Sequence, residues 1–304
     1  RNVGARFIER DVRDVTGAEL SALYPKGHLR LLAGCAPCRP FSPWRHGYDT
    51  EQHSEWKLLQ EFTRLVNEIE PDLVTMENVP DLQSTAIFKR FVRALKRAGY
   101  DVDHRSVYCP RFGIPQHRRR LVLLASKVGP VKVPEGRYDA DNYRTVRDAI
   151  GNLPPVAAGE ADPRDRLHKA RAVTPIMLKR LQASRPGGTW RDWPKGLRAK
   201  CHVKKSGASF QDVYSRMMWD DPSPTITTLA HSFGSGRFGH PDQDRALTLR
   251  EAAILQSFPR RYRFVEPRQD VGITPIARLI GNAVPPRLGR YIGLALARAA
   301  ASSS

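Results

Sequence analysis

The chain has 304 residues, with 50 Lys and Arg against 31 Asp and Glu, a formal charge of +19. That length can bury a substantial core in one large domain or two modest ones, and that charge favours a polyanionic partner. Four irregularly spaced cysteines exclude a disulfide-stapled scaffold; no apolar run approaches the roughly 18–20 residues of a membrane span, and no signal peptide opens the chain.

In chain order, Ala5–Val12 reads as a short strand ending in acid, followed by a helix around Ala18–Tyr24 and a strand over His28–Ala33. Across Glu55–Ile69, apolar residues at Trp56, Leu58, Leu59, Phe62, Leu65, Val66 and Ile69 follow a helical period that Pro71 ends. Asp72–Glu77 is a buried-type strand, Ile87–Ala98 a helix closed by Gly99, and Asp101–Tyr108 and Leu121–Ala125 are strands. The alternation predicts an α/β fold with a mostly parallel sheet. Beyond about residue 150 the sequence becomes irregular and Pro/Gly-rich, with a β-type run at Thr225–Leu229, which predicts a smaller, loop-rich second domain. An amphipathic, Ala-rich helix over Leu288–Ala300 is expected to return to the first domain.

The segment Gly34-Cys35-Ala36-Pro37-Cys38 places a thiol in a turn at the carboxyl end of a strand, where open α/β sheets carry their chemistry. Cys38 is a candidate nucleophile if a helix terminus or cation favours its thiolate, and an inert buried thiol otherwise. Cys35-x-x-Cys38 also fits a redox pair or half a zinc site; Cys109 and Cys201 supply no second close pair, so no metal is expected. Glu77-Asn78-Val79-Pro80 projects a carboxylate from a strand end onto the same rim, a suitable acid/base partner or an ordinary loop glutamate.

Gln116-His117-Arg118-Arg119-Arg120 leads into a strand, and alternation puts Arg118 and Arg120 on one face. Two guanidinium groups facing a cysteine and a glutamate would stabilise a thiolate and hold an anion or carbonyl; the alternative is a solvated basic patch. Gly234-Ser235-Gly236-Arg237-Phe238-Gly239 matches a dinucleotide-binding pattern, but His240-Pro241 follows at once and no helix can open there. A flexible loop is expected instead, with Arg237 and Phe238 suited to reaching a groove. Lys195, Arg198, Lys200, Lys204 and Lys205 form an acid-free basic stretch suited to phosphate contact.

Taken together and in this order, Pro37-Cys38, Glu77-Asn78-Val79, Gln116-x-Arg118-x-Arg120, Arg245–Pro259 and Gly281-Asn282-Ala283-Val284-Pro285-Pro286 resemble the motifs of the DNA (cytosine-5)-methyltransferases. The resemblance implies a Rossmann-like S-adenosylmethionine-dependent methyltransferase sheet in residues 1–150, a target recognition domain in 151–279, and a C-terminal helix in 280–304 returning to the catalytic domain. It implies that Cys38 attacks carbon 6 of a cytosine flipped from double-stranded DNA, that Glu77 bonds the ring nitrogen and amino group, that Arg120 contacts the ring carbonyl, and that Arg118 supports the loop carrying the cysteine. Asp11, Val12, Pro37, Asn282 and Val284 are the implied S-adenosylmethionine contacts. Arg39, Ser42 and Arg237 are the implied DNA contacts, and Phe41–Ser54 is the implied loop that closes on DNA. A prokaryotic restriction–modification role, a cognate restriction endonuclease as partner, and a cytoplasmic, nucleoid-associated location follow from the same resemblance.

Two departures stand out. Arg39 replaces the Gln that most often follows the nucleophile, which is expected to alter strand contacts rather than chemistry. The family's glycine-rich strand-turn and its ribose-binding glutamate do not precede the Asp11 strand, so weak cofactor binding and an exposed sheet edge are expected unless a preceding segment or a companion amino-terminal subunit supplies them. The rival readings are a catalytically impaired DNA-binding remnant, one subunit of a split methyltransferase, and the thiol oxidoreductase.

Overall fold

The structure, a computed structural model, describes residues 2–35, 56–204, 213–265 and 272–302. In chain order these form α1 (Gly17–Ser21), β1 (Leu31–Gly34), α2 (Trp56–Ile69), β2 (Leu73–Asn78), α3 (Ala86–Arg97), β3 (Asp101–Tyr108) and β4 (Arg119–Ser126). There follow α4 (Val146–Ile150), β5 (Ala161–Asp162), β6 (Asp165–Lys169), α5 (Pro175–Gln182), α6 (Lys200–Val203), α7 (Leu249–Leu255), α8 (Ile273–Asn282) and α9 (Pro286–Ala301). Two units result. One comprises Val3–Tyr108, Arg119–Glu135 and Leu288–Ser304; the other comprises Arg1–Asn2, Cys109–Arg118 and Gly136–Arg287.

The first unit is built on a four-stranded sheet of order β1-β2-β4-β3. Helix α3 shows why its elements form where they do. The Thr85 hydroxyl accepts from the Phe88 N–H at 3.3 Å, Lys96 and Arg97 sit in the last turn against the carbonyl end of the helix dipole, and Gly99 follows at φ +85°, beyond which a helix does not continue. Its face of Phe88, Phe91 and Leu95 packs with Leu59, Phe62 and Val66 of α2. Both helices cover Val74 and Met76 of β2 and Leu121, Leu123 and Ala125 of β4. Since successive strand residues face opposite ways, Thr75, Glu77 and Val122 project from the other face.

The sheet is mixed rather than mostly parallel. β1 and β2 run parallel, but β4 is antiparallel to both β2 and β3. The length of the connections explains this. The β1–β2 crossover carries α2, whereas β3 and β4 are joined by only residues 109–118, too short for a parallel return. A second departure concerns Ala5–Val12, which forms no strand: Phe7 is 85% exposed, and Val12–Asp14 is a 3-10 turn. A strand needs a ladder partner for its N–H and C=O groups, and among the described residues this segment has none. β1 accordingly pairs on one side only among the described residues, as the sheet's edge strand.

The second unit is dominated by short helices, turns and the β5–β6 pair. Its core surrounds α7, buried along its whole length against Val146, Ile226, Phe238, Ile276 and Ile280. Thr248 and Glu251 cap α7 reciprocally, and Glu251 also receives both arms of the Arg245 guanidinium at 2.8 Å. A separate cluster gathers Leu181, Trp190, Trp193, Val213 and Phe233.

Three local expectations change here. Thr225–Leu229 is irregular rather than a strand, because Ile226 donates its N–H to the Gln116 side chain instead of a neighbouring strand. Phe238 lies in the core, 2% exposed, and cannot reach a groove. Arg198 donates to the carbonyls of Trp193 and Arg191 at 3.3 and 2.6 Å, so its charge serves the turn, while Lys195, Lys200 and Lys204 remain exposed. Lys205 lies outside the described residues. The Gly234–Gly239 segment opens no helix; it holds a 3-10 turn at Phe233–Ser235, and Gly239 bridges to Arg216 and Ala246.

Candidate active site

Glu77 lies one residue before the carboxyl end of β2, and the register fixes its neighbours. Gly34 pairs with Met76 in the parallel ladder, so Cys35 emerges from β1 beside Glu77. Val122 of β4 lies opposite Glu77, and Arg120, two residues earlier, projects from the same sheet face. The result is a linked trio. Arg120 Nε is 2.9 Å from Glu77 Oε1, and the Cys35 Sγ donates to Glu77 Oε2 at 3.2 Å. Arg120 also donates from Nη1 to the Arg119 carbonyl at 2.7 Å, which orients the guanidinium. The Glu77 side chain is only 8% exposed. Enclosing a carboxylate costs much less with a guanidinium against it than it would alone.

Arg118 is placed differently from the expectation of two arginines facing one carboxylate. Its guanidinium, 4% exposed, donates to the carbonyls of Ile226 at 3.1 Å and Gly281 at 3.5 Å, and to Gln116 Oε1 at 3.4 Å. Strand alternation does not extend back to it, because β4 begins at Arg119. Gln116 also donates to the Leu255 carbonyl and to Gln256 Oε1, while Gln256 donates to the Ala283 carbonyl at 2.8 Å. Gly281 closes this network, since a Cβ there would lie 2.4 Å from the Thr227 backbone carbon.

The expected cofactor residues divide between the units. Asp11 is exposed, caps the 3-10 turn and chelates Arg13 at 2.9 and 2.6 Å; hydrogen bonds from the Arg13 side chain and backbone hold its carboxyl well below the usual range. Val12 borders a cavity of about 610 Å³ that also meets Leu20, Leu32, Cys35, Phe62 and Met76. In the second unit, Asn282 ends α8 and is exposed, and Val284 is half-buried. Arg237 is exposed in the 234–239 segment. Pro37, Cys38, Arg39, Ser42 and the Phe41–Ser54 loop lie outside the described residues. Cys35, Cys109 and Cys201 form no disulfide, and no cluster of three or more His, Cys, Asp or Glu able to hold a metal occurs, both among the described residues. The Cys35–Glu77 contact is the feature that sequence reasoning missed. Its signal is the position of Cys35 directly after a strand, but only the ladder register shows which residue lies beside it.

Residues 1–298 match the family described as C-5 cytosine-specific DNA methylase. The chain is 48% identical over 301 residues to the Type II methylase M.HgiDII of Herpetosiphon aurantiacus, covering 98% of this chain and 84% of that one. It is 31% identical over 297 residues to the Type II methyltransferase M1.HphI of Haemophilus parahaemolyticus, covering 96% and 74%. Among solved structures, one named as a DNA modification methyltransferase encoded within a prophage (E. coli) superposes with a TM-score of 0.69 at 21% identity, over 95% of this chain and 85% of that one. That likeness concerns the fold alone, a Rossmann-like α/β architecture. With a family match along nearly its whole length and a relative at almost half identity, the chain belongs to the C-5 cytosine-specific DNA methylases.

Proposed function

We propose that this protein methylates carbon 5 of a cytosine swung out of double-stranded DNA, with Cys38 as covalent nucleophile and S-adenosylmethionine as methyl donor, in a Type II restriction–modification system. The observation that carries the reading is the enclosed Glu77–Arg120 pair at the strand end, with the chain entering the Cys38 segment directly from Cys35 beside it. Base extrusion is required because the ring carbons are unreachable inside the stack.

The Cys38 thiolate adds to carbon 6, forming an S–C bond and moving the 5,6 electron pair toward carbon 5, which becomes nucleophilic. Glu77 accepts from the exocyclic amino group and, carrying a proton, donates to the ring nitrogen, where negative charge develops during this addition, and Arg120 donates to the ring carbonyl while keeping Glu77 in place. After methylation, loss of the carbon 5 proton expels Cys38 and restores the aromatic ring. Arg118 acts at one remove, by fixing the Gln116–Gln256–Ala283 network. Arg39, Ser42 and Arg237 contact DNA in this reading, with residues 151–279 as the recognition domain.

The cavity bordered by Val12 fits the cofactor: at about 610 Å³ it falls in the roughly 300–1,000 Å³ range of small-molecule sites, and its apolar lining suits a purine face. Asp11, Val12, Pro37, Asn282 and Val284 would hold S-adenosylmethionine, which when bound supplies an electrophilic methyl group on a sulfonium sulfur. A cognate restriction endonuclease is the proposed partner, on the strength of the relatives' Type II names.

The reading is tested by incubating the protein with duplex DNA and S-adenosylmethionine labelled in its methyl group, then hydrolysing the DNA to nucleosides. Label is expected in 5-methylcytosine alone. Label in N4-methylcytosine or N6-methyladenine, or none in DNA, would overturn it.

A further inference from the structure

We infer that Cys35 is a positioning residue for methyl transfer, its thiol holding the Glu77 carboxylate in the orientation that Arg120 fixes from the other side. The inference rests on the reading of Glu77 as the carboxylate that contacts the cytosine.

Three observations converge. The thiol donates to Glu77 Oε2 at 3.2 Å while the Arg120 guanidinium lies against Oε1 as an ion pair at 2.9 Å, so the two carboxylate oxygens are approached from two different parts of the sheet, the end of β1 and β4. The end of β1 is held close to α2, because a Cβ at Gly34 would meet the Phe62 ring at 2.6 Å; this tight seat sets where the next residue emerges. That residue, by alternation, leaves the sheet on the face that carries Glu77 and Arg120. The thiol hydrogen bond adds a directional restraint to the Arg120 ion pair, and positional errors of about an ångström at a reacting group cost on the order of a hundredfold in rate. Cys35 also borders the cavity beside Val12, so one side chain touches both Glu77 and the proposed cofactor space.

The test compares Cys35→Ala, Cys35→Ser and Glu77→Gln in the intact protein, measuring steady-state methyl transfer to DNA and thermal melting. Cys35→Ala is expected to lower kcat roughly five- to thirtyfold, with KM for DNA and for S-adenosylmethionine within about twofold of the parent. Cys35→Ser, whose hydroxyl also donates, is expected to recover kcat to within about threefold. A residue serving packing alone would lower the melting temperature without this split and without rescue by serine. Unchanged kcat in Cys35→Ala, or a serine variant as slow as the alanine one, would overturn the proposal when Glu77→Gln is inactive. If Glu77→Gln retains full kcat, the reading of Glu77 fails first and the proposal falls with it.

Discussion

A Cys38→Ser protein should bind DNA as the parent does and transfer methyl groups more than about a thousandfold more slowly. The chemistry demands a nucleophile that is partly ionised near neutral pH, and a thiol meets that condition where a serine hydroxyl does not. Among the described residues of the proposed site, Cys35 is the one other thiol, and its hydrogen is given to Glu77 Oε2. Glu77 is committed to Arg120 and Cys35, and Arg120 carries only donors. The single-atom change leaves volume and charge nearly constant, so binding measured by gel shift should be preserved while labelled methyl transfer disappears. Transfer within about tenfold of the parent would remove Cys38 from the mechanism.

The largest expected effect on stability lies in the second unit. Glu251 and Arg245 are 1% and 0% exposed and form two 2.8 Å hydrogen bonds, with Glu251 also accepting from the Thr248 N–H at 2.7 Å. Burial works against ionisation of Glu251, but hydrogen bonds and charge from Arg245 outweigh it and hold the carboxyl below its ordinary value. The pair therefore contributes at and above the ordinary carboxylate range, and its contribution is lost as pH falls through the lowered value. Glu251→Ala leaves a buried guanidinium uncompensated and removes half of the α7 cap, which should cost about 3–5 kcal/mol in urea unfolding. Replacing both partners by apolar residues of similar volume, Arg245→Met with Glu251→Leu, should cost much less, because no charge is left alone. A Glu251→Ala protein that unfolds like the parent would show that this pair does not support the unit.

The elements legible in the sequence are those with local punctuation. Asp101–Tyr108 and α3 appear at their expected positions because β-type alternation, the Thr85 cap and Gly99 act within a few residues. The Thr248–Glu251 capping box also acts locally, but nothing local shows that Glu251 also meets Arg245 in the core. What failed depended on partners distant in sequence. Ala5–Val12 has strand-like residues but no ladder among the described residues, and Ile226 gives its N–H to the Gln116 side chain, 110 residues away. The direction of β4 was hidden because short apolar strands look alike whichever way they run. At the candidate site, Glu77 and Arg120 were readable as chemistry at strand ends. Their 2.9 Å pairing and the placement of Cys35 beside them follow from ladder register, which residue periodicity does not encode. Arg118 was misplaced for the same reason: strand alternation was extended one residue beyond the start of β4.

The covalent step is the centre of the account, and one trapping experiment reaches it directly. Duplex DNA carrying 5-fluorocytosine at the methylated position, incubated with the protein and S-adenosylmethionine, should stall after methyl transfer, because fluorine cannot leave carbon 5 as a proton does. A protein–DNA adduct that survives denaturation, maps by peptide mass to Cys38 and is absent from Cys38→Ser is the expected result. A protein that methylates ordinary DNA yet forms no adduct with the fluorinated duplex, or forms one that maps to Cys35, would contradict it.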